Sequence, residues 1–219
     1  MTYSEYLSLL AANNNRQWFH ANRPLFDEMR DRWYADLDRL FAAMSAYELS
    51  ARYADGKTAS YRIYRDTRFS PDKTPYKTYF SAELTPRGRH VHGAGWYMQA
   101  GVTRGQSGFY GGLWSPDAAQ LRKMRHAIVD NIEEFEQIMA DPLLRSLYPE
   151  WWGPQLKTIP KGWPRDHQQA PLLRLLHYGR EHAVDPTFFD DPEWPSRAAE
   201  IMRPLKPLID FIDYSIFEE

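Results

Sequence analysis

The sequence predicts an α+β fold, and three observations carry that reading. Apolar residues recur at three- and four-residue spacing along 25–44 and again along 121–139, the mark of helices with one buried face. From about residue 58 to 114 the pattern changes to alternation of period two. The alternating segments follow one another over short connections, which implies an antiparallel sheet of about four or more strands packed against several helices. The 219 residues suit a single domain: helical over 1–50, sheet over 57–114, helical with a long loop over 115–219.

Taken in order, Thr2 or Ser4 caps a first short helix carrying Leu7, Leu9 and Leu10. Asn13-Asn14-Asn15 interrupts it, because Asn side chains compete for backbone hydrogen bonds, and 16–20 makes a second short turn. Pro24 suits the first turn of a long helix whose stripe runs through Leu25, Met29, Trp33, Leu37, Leu40, Phe41 and Met44. Trp33 in that stripe reads as core. The strand candidates are 61–66, 78–84, 94–103 and 109–114, with a turn at Pro86-Arg87-Gly88 and a hairpin connection at 104–108. Ser115 reads as the N-cap of the next helix, with Pro116 at its first position. That helix carries Leu121, Met124, Ile128, Ile132, Phe135 and Met139. Residues 148–170, rich in Pro, Trp and Gly, read as a long irregular segment, and 172–178 as a short helix. A terminal helix from Trp194 to Phe217 should be kinked or split by Pro204 and Pro207.

Composition narrows the function classes. Hydrophobic residues make up 43 % of the chain, which disfavours disorder, and the net charge of −2 disfavours bulk binding to nucleic acid or an anionic membrane. Cysteine is absent, so disulfides, thiolate nucleophiles and Cys-based metal sites are excluded. The first residues lack a signal peptide's pattern, and no apolar run reaches the length of a membrane span. A soluble, cytoplasmic protein without a membrane partner is the expectation. Charge is nevertheless uneven. Residues 57–92 carry eight Lys/Arg against three acids, or +5, and residues 185–219 carry nine acids against three bases, or −6. Either the acidic end folds back on the basic part, or the basic part stays open.

The basic block runs from Tyr61 to Lys77. It holds Arg62, Arg65, Arg68, Lys73 and Lys77 against only Asp66 and Asp72. Guanidinium offers a planar fork of donors to phosphate or carboxylate, and ammonium offers a point charge. Ser70-Pro71-Asp72-Lys73 reads as a β-turn, and Thr74-Pro75 extends the chain again. The expected site is a pocket for an anionic small molecule, bound by the five cations. Asp66, its pKa lowered by flanking positive charge, would orient the arginines. Tyr64, Tyr76 and Tyr97 would line the pocket, and Lys161 would join it if the long loop covers the strand ends. The alternatives are a nucleic-acid or protein-binding module and an internal ion-pair network.

Other motifs carry less. His90 and His92 are too few for a metal, the remaining histidines show no ligand spacing, and neither metal nor cofactor is expected. Gly105-Gln106-Ser107-Gly108 lacks the nucleophile-elbow pattern, and Gly111-Gly112 lacks the Lys-Ser/Thr of a phosphate loop. Tyr64, Tyr76, Tyr79, Tyr97 and Tyr110 read as packed rings before they read as bases. Trp151, Trp152 and Trp163, with Lys157 and Lys161, either stack on a base or sugar or pin the long loop to the body. No residue stands out as a nucleophile, and no reaction is assigned.

Four stretches occur together in this order: Asn13 to Phe19, the 61–78 block, Gly111-Gly112-Leu113-Trp114-Ser115-Pro116, and Lys161-Gly162-Trp163-Pro164. With them the chain resembles the DUF2461 family over nearly its whole length. The resemblance implies a single α+β domain and no established activity, substrate or catalytic residue. Gln168 departs from the pattern, which implies Pro there.

Overall fold

A computed structural model of the chain describes residues 1–88 and 91–217. The fold is α+β, with two compact units. The first comprises 1–84, 97–109 and 183–201, and the second comprises 85–96, 110–182 and 202–219. Among the described residues no helix is long and apolar enough to cross a membrane.

In the first unit, α1 (Tyr3–Ala12) opens with a capping box between Thr2 and Glu5. Asn13 closes it, and Asn15 caps α2 (Arg16–Ala21) by accepting from the Trp18 N–H. The long α3 (Arg23–Met44) has proline in its first turn. Its apolar stripe is buried, and Trp33 lies at its centre, stacked between Phe80 at 5.7 Å and Trp194 at 5.4 Å. Asp36 is buried on the same helix and accepts from Tyr3 Oη at 2.9 Å and Trp194 Nε1 at 3.2 Å. A 3₁₀ turn (Leu49–Tyr53) and the short α4 (Gly56–Ala59) lead towards β1 (Tyr79–Leu84). Gly56 packs so closely on α3 that a Cβ there would lie 2.2 Å from the Tyr34 carbonyl oxygen.

Four strands form one antiparallel sheet in the order β1, β2 (Gly95–Gly101), β3 (Gly108–Leu113) and β4 (Tyr178–Ala183). Three of them match sequence candidates. The fourth does not come from 57–114 but follows the long loop. Its sequence, Tyr-Gly-Arg-Glu-His-Ala, buries Arg180 where an apolar residue would have signalled a strand. Conversely, 61–66 is not a regular strand. Within it Tyr64 makes an isolated bridge with Tyr76, and Ser60 just before it makes one with Ala82. Arg65 N–H donates to Pro75 O at 2.9 Å, and proline has no N–H to return.

The second unit holds α5 (Ala118–Asp130), α6 (Ile132–Met139), α7 (Pro142–Leu147) and the short α8 (Ala170–Leu173). Asp117, not Ser115, caps α5, accepting from the Ala119 and Gln120 N–H groups at 2.8 Å. The expected single helix over 121–139 breaks at Asn131, which ends α5 and begins α6. The terminal helix splits at its prolines as the sequence predicts. α9 (Trp194–Met202) ends in a 3₁₀ turn (Arg203–Leu205), and α10 (Lys206–Phe217) follows. Buried Asp213 on α10 accepts from the Ala94 N–H at 3.1 Å and Arg87 Nε at 3.2 Å. Burial raises its pKa, against the pull of those two donors.

Candidate functional site

The basic block forms an irregular two-stranded ribbon in the first unit, closed by a loop over 66–74. Lys77 N–H donates to Ile63 O at 2.8 Å, and Tyr61 N–H to Ser81 O at 2.8 Å. Asn14 holds the return limb, with its side-chain nitrogen donating to Tyr76 O at 2.9 Å and its oxygen accepting from Tyr76 N–H at 3.1 Å. Tyr76 is buried and lies flat on Phe19, with ring centroids 4.0 Å apart.

The loop braces itself. The Arg65 guanidinium donates to Asp72 and to the Thr74 hydroxyl, crossing from one limb to the other. Asp72 in turn accepts from the Thr74 N–H at 2.9 Å. The Thr74 N–H first, and Arg65 next, hold the Asp72 carboxyl at a pKa of about 2. Asp66 accepts from Arg68 Nη2 at 2.7 Å and from the Arg68 N–H at 3.2 Å, and Arg68 lowers its pKa. Lys73 Nζ donates to Thr67 O at 2.9 Å.

The expected site residues therefore take different parts. Arg62 is exposed and makes no hydrogen bond or ion pair among the described residues. Arg68 is also at the surface, its side chain 77 % exposed in its pair with Asp66. Lys73 is exposed, and Phe69 between these cations is 94 % exposed. Arg65 is half-buried as the loop's cross-link. Tyr64 Oη accepts from Arg23 Nη1 at 3.1 Å, a partner on α3 that sequence reasoning missed. Lys77 Nζ lies 5.3 Å from the Tyr61 ring and 5.6 Å from the Tyr79 ring. Tyr97 donates to Gln99 Oε1 at 2.8 Å, with its ring 6.1 Å from Tyr61. Lys161 stands exposed in the second unit, before Gly162 at φ 99°.

Acids of the C-terminal stretch have partners outside the block. Asp190 accepts from Ser4, Glu193 pairs with Arg39, Asp191 with Arg197 and Asp210 with Lys206. Asp213 takes Arg87. His90 lies outside the described residues, and His92 Nδ1 is 3.1 Å from Gln120 Oε1.

A family model described as a conserved hypothetical protein, DUF2461, matches residues 2–211. The chain belongs to the DUF2461 family. Neither the comparison with curated proteins nor that with solved structures gives a match.

In this DUF2461 protein the four sequence stretches serve two places. Asn14 and the 61–78 block build the ribbon of the first unit. The other two stretches lie in the second, where Trp114 at the end of β3 stacks on Trp152 with centroids 3.7 Å apart. His177 packs against both rings, at 5.6 Å and 5.1 Å. The other loop tryptophans sit against side chains of the same unit. Trp151 lies under the Arg180 guanidinium at 4.2 Å, and Trp163 lies between His126 at 4.9 Å and His167 at 5.3 Å. Trp114, the exposed member, ends the 109–114 strand candidate, and sequence reasoning gave it no part in a site.

Proposed function

We propose that this protein binds an anionic group, phosphate or carboxylate, on the 61–77 ribbon, with Arg62, Arg68 and Lys73 as the contacting cations. The observation that supports this reading is that these three cations stand exposed on a ribbon whose loop is braced by its own hydrogen bonds, including Arg68 to Asp66 and Lys73 to Thr67 O. A braced loop loses little conformational freedom when a ligand arrives, so most of the interaction is available for affinity. Arg65, Asp66 and Asp72 hold the loop, while Tyr64, Tyr76, Lys77 and Tyr97 stand along the same ribbon and its neighbouring strands. The ligand is a small anionic metabolite, and the setting is the cytoplasm.

A second reading has one observation in its favour. Phe69 offers an almost fully exposed ring among cations, which suits a macromolecular partner, protein or nucleic acid, better than a small ion.

Thermal unfolding with phosphate, sulfate, citrate, nucleotides and sugar phosphates tests the first reading. A ligand at about 100 times its Kd stabilises by roughly 2.7 kcal/mol, on the order of 5–10 °C for a chain of this size. A shift from one small anion that Arg62→Ala abolishes supports it. Absence of any shift removes it. Binding to an oligonucleotide that collapses as salt rises would move the assignment to the second reading.

A further inference from the structure

The second unit carries an aromatic site that the anion reading does not use. Trp114 closes β3 with 55 % of its surface exposed, although one side of its ring is stacked on Trp152. Ser115, which follows it, has φ of 45° and is the non-glycine residue in the left-handed region among the described residues. Strain of this kind needs support from its surroundings, and it gathers at ligand sites. His177 gives the support: its Nδ1 accepts from the Ser115 N–H at 2.9 Å. That bond leaves Nε2 as the protonated nitrogen, a donor. Burial lowers the His177 pKa, so the ring is neutral at pH 7. Gly153, at φ 91°, makes room for it, since a Cβ there would lie 2.7 Å from His177 Cδ2.

Beside this aromatic end the sheet carries a glycine, Gly179. Alternation puts Tyr110 and Trp114 on the face of β3 opposite its buried Phe109 and Leu113, and Gly179 and Glu181 on the matching face of β4. Gly179 is uncrowded, because a Cβ there would make one ordinary contact, with Gly111 O at 3.6 Å. At the far end stands Tyr110, its pKa raised by burial and then by the charge of Glu181. Four residues of strand separate Tyr110 from Trp114, about 13 Å. The result is a shelf with an indole wall at one end, a phenol and a carboxylate at the other, and a glycine floor.

We propose that this shelf binds a neutral oligosaccharide, with one pyranose ring against Trp114 and a hydroxyl on His177 Nε2, and a following ring reaching Glu181. Sugar rings present C–H groups that suit an aromatic face, and their hydroxyls need both a donor and an acceptor. The imidazole N–H and the carboxylate supply one of each. A phosphate would face the Glu181 carboxylate, and no Lys or Arg joins Trp114, Trp152 or His177 in the contacts described. Charge complementarity therefore favours an uncharged ligand here, in contrast to the ribbon.

Saturation-transfer NMR on the full chain tests this with methyl β-glucopyranoside, maltose and cellobiose at millimolar concentration, and glucose 6-phosphate as the charged comparator. The expected result is saturation of ring C–H protons of a neutral saccharide. Trp114→Ala should weaken binding roughly tenfold, as loss of one aromatic contact does. Gly179→Val should weaken it as well, by filling the floor while every aromatic ring stays in place. Arg62→Ala should leave it unchanged, which separates this site from the anion site. Thermal unfolding confirms that each variant is folded. The proposal is overturned if no saccharide is saturated, or if the signal survives both Trp114→Ala and Gly179→Val. It is overturned equally if glucose 6-phosphate alone is saturated and Arg62→Ala removes the signal.

Discussion

Asn14 pairs with Tyr76 as a strand residue would, its side-chain amide meeting both the carbonyl and the N–H of one residue 62 positions away. A side chain thus supplies two backbone bonds that the irregular ribbon does not make for itself. Asn14→Ala leaves both groups of Tyr76 without partners, and each such loss costs about 1–3 kcal/mol when the group is shielded from water. The expected outcome is a fall in stability of roughly 2 kcal/mol, with faster amide exchange concentrated in 61–77. Exchange that rises evenly over the chain would show that Asn14 does not hold the ribbon.

Arg62 and Arg65 should separate cleanly. Arg62→Ala removes an exposed cation that makes no hydrogen bond or ion pair among the described residues, so its effect on stability should stay within about 0.5 kcal/mol. Arg65→Ala cuts the link to Asp72 and Thr74, so the loop should become a site of limited proteolysis while the global Tm moves little. The check is a protease digest of each variant mapped by mass spectrometry. Cleavage within 66–74 in the Arg65 variant alone is expected.

The loop's order should depend on pH through Asp72. Its folded pKa of about 2 lies below the ordinary 3.8. A depressed carboxylate contributes order that is complete above its unfolded value and lost as pH falls through the folded one. The loop should therefore hold from neutral pH down to about pH 4 and loosen between there and about 2. Carboxyl ¹³C titration should find this midpoint in the wild type. In Arg65→Ala it should move upward but stay below the ordinary value, because the Thr74 N–H remains the larger cause.

Gly56 is a steric requirement. A Cβ would stand 2.2 Å from Tyr34 O and 2.9 Å from Leu37 Cβ, and backbone cannot give way as a side-chain tip can. Gly56→Ala should cost on the order of 2 kcal/mol, the usual cost of overpacking, or about 4–8 °C in Tm. Gly105→Ala, where nothing lies within 4 Å, is the control and should be nearly neutral.

Much of the fold was legible because burial follows period. The α3 stripe, the β1–β3 alternation and the proline split between α9 and α10 each repeat a pattern that only one kind of element satisfies. β4 was hidden because Arg180 is buried over the Trp151 ring, so the inward position reads as polar. The block was read as a candidate site from charge alone, but charge does not distinguish a brace from a contact. Arg65 and Arg62 fall on opposite faces by parity, and which face meets Asp72 and Thr74 depends on the ribbon's pairing of Arg65 with Pro75 and Lys77 with Ile63. Ser115 followed the usual signal for an N-cap, yet Asp117 two residues on took the cap, and the backbone at Ser115 was left free to turn the other way.

The position of β4 in the sheet has a consequence for how the chain folds. β1, β2 and β3 are near neighbours in sequence, so the meander can pair early. β4 must close a loop of about 65 residues onto β3, at an entropic cost of about 4 kcal/mol. Pairing across that separation is slow compared with the local hairpins. Until it happens β3 is an unpaired edge, open to the wrong chain. Its sequence, Gly-Phe-Tyr-Gly-Gly-Leu, carries three glycines, which give another strand little to grip. The glycines that β3 needs for close packing in the finished sheet, Gly111 against Leu205 and Gly112 against the Tyr178 carbonyl, thus also protect the nascent one from aggregation.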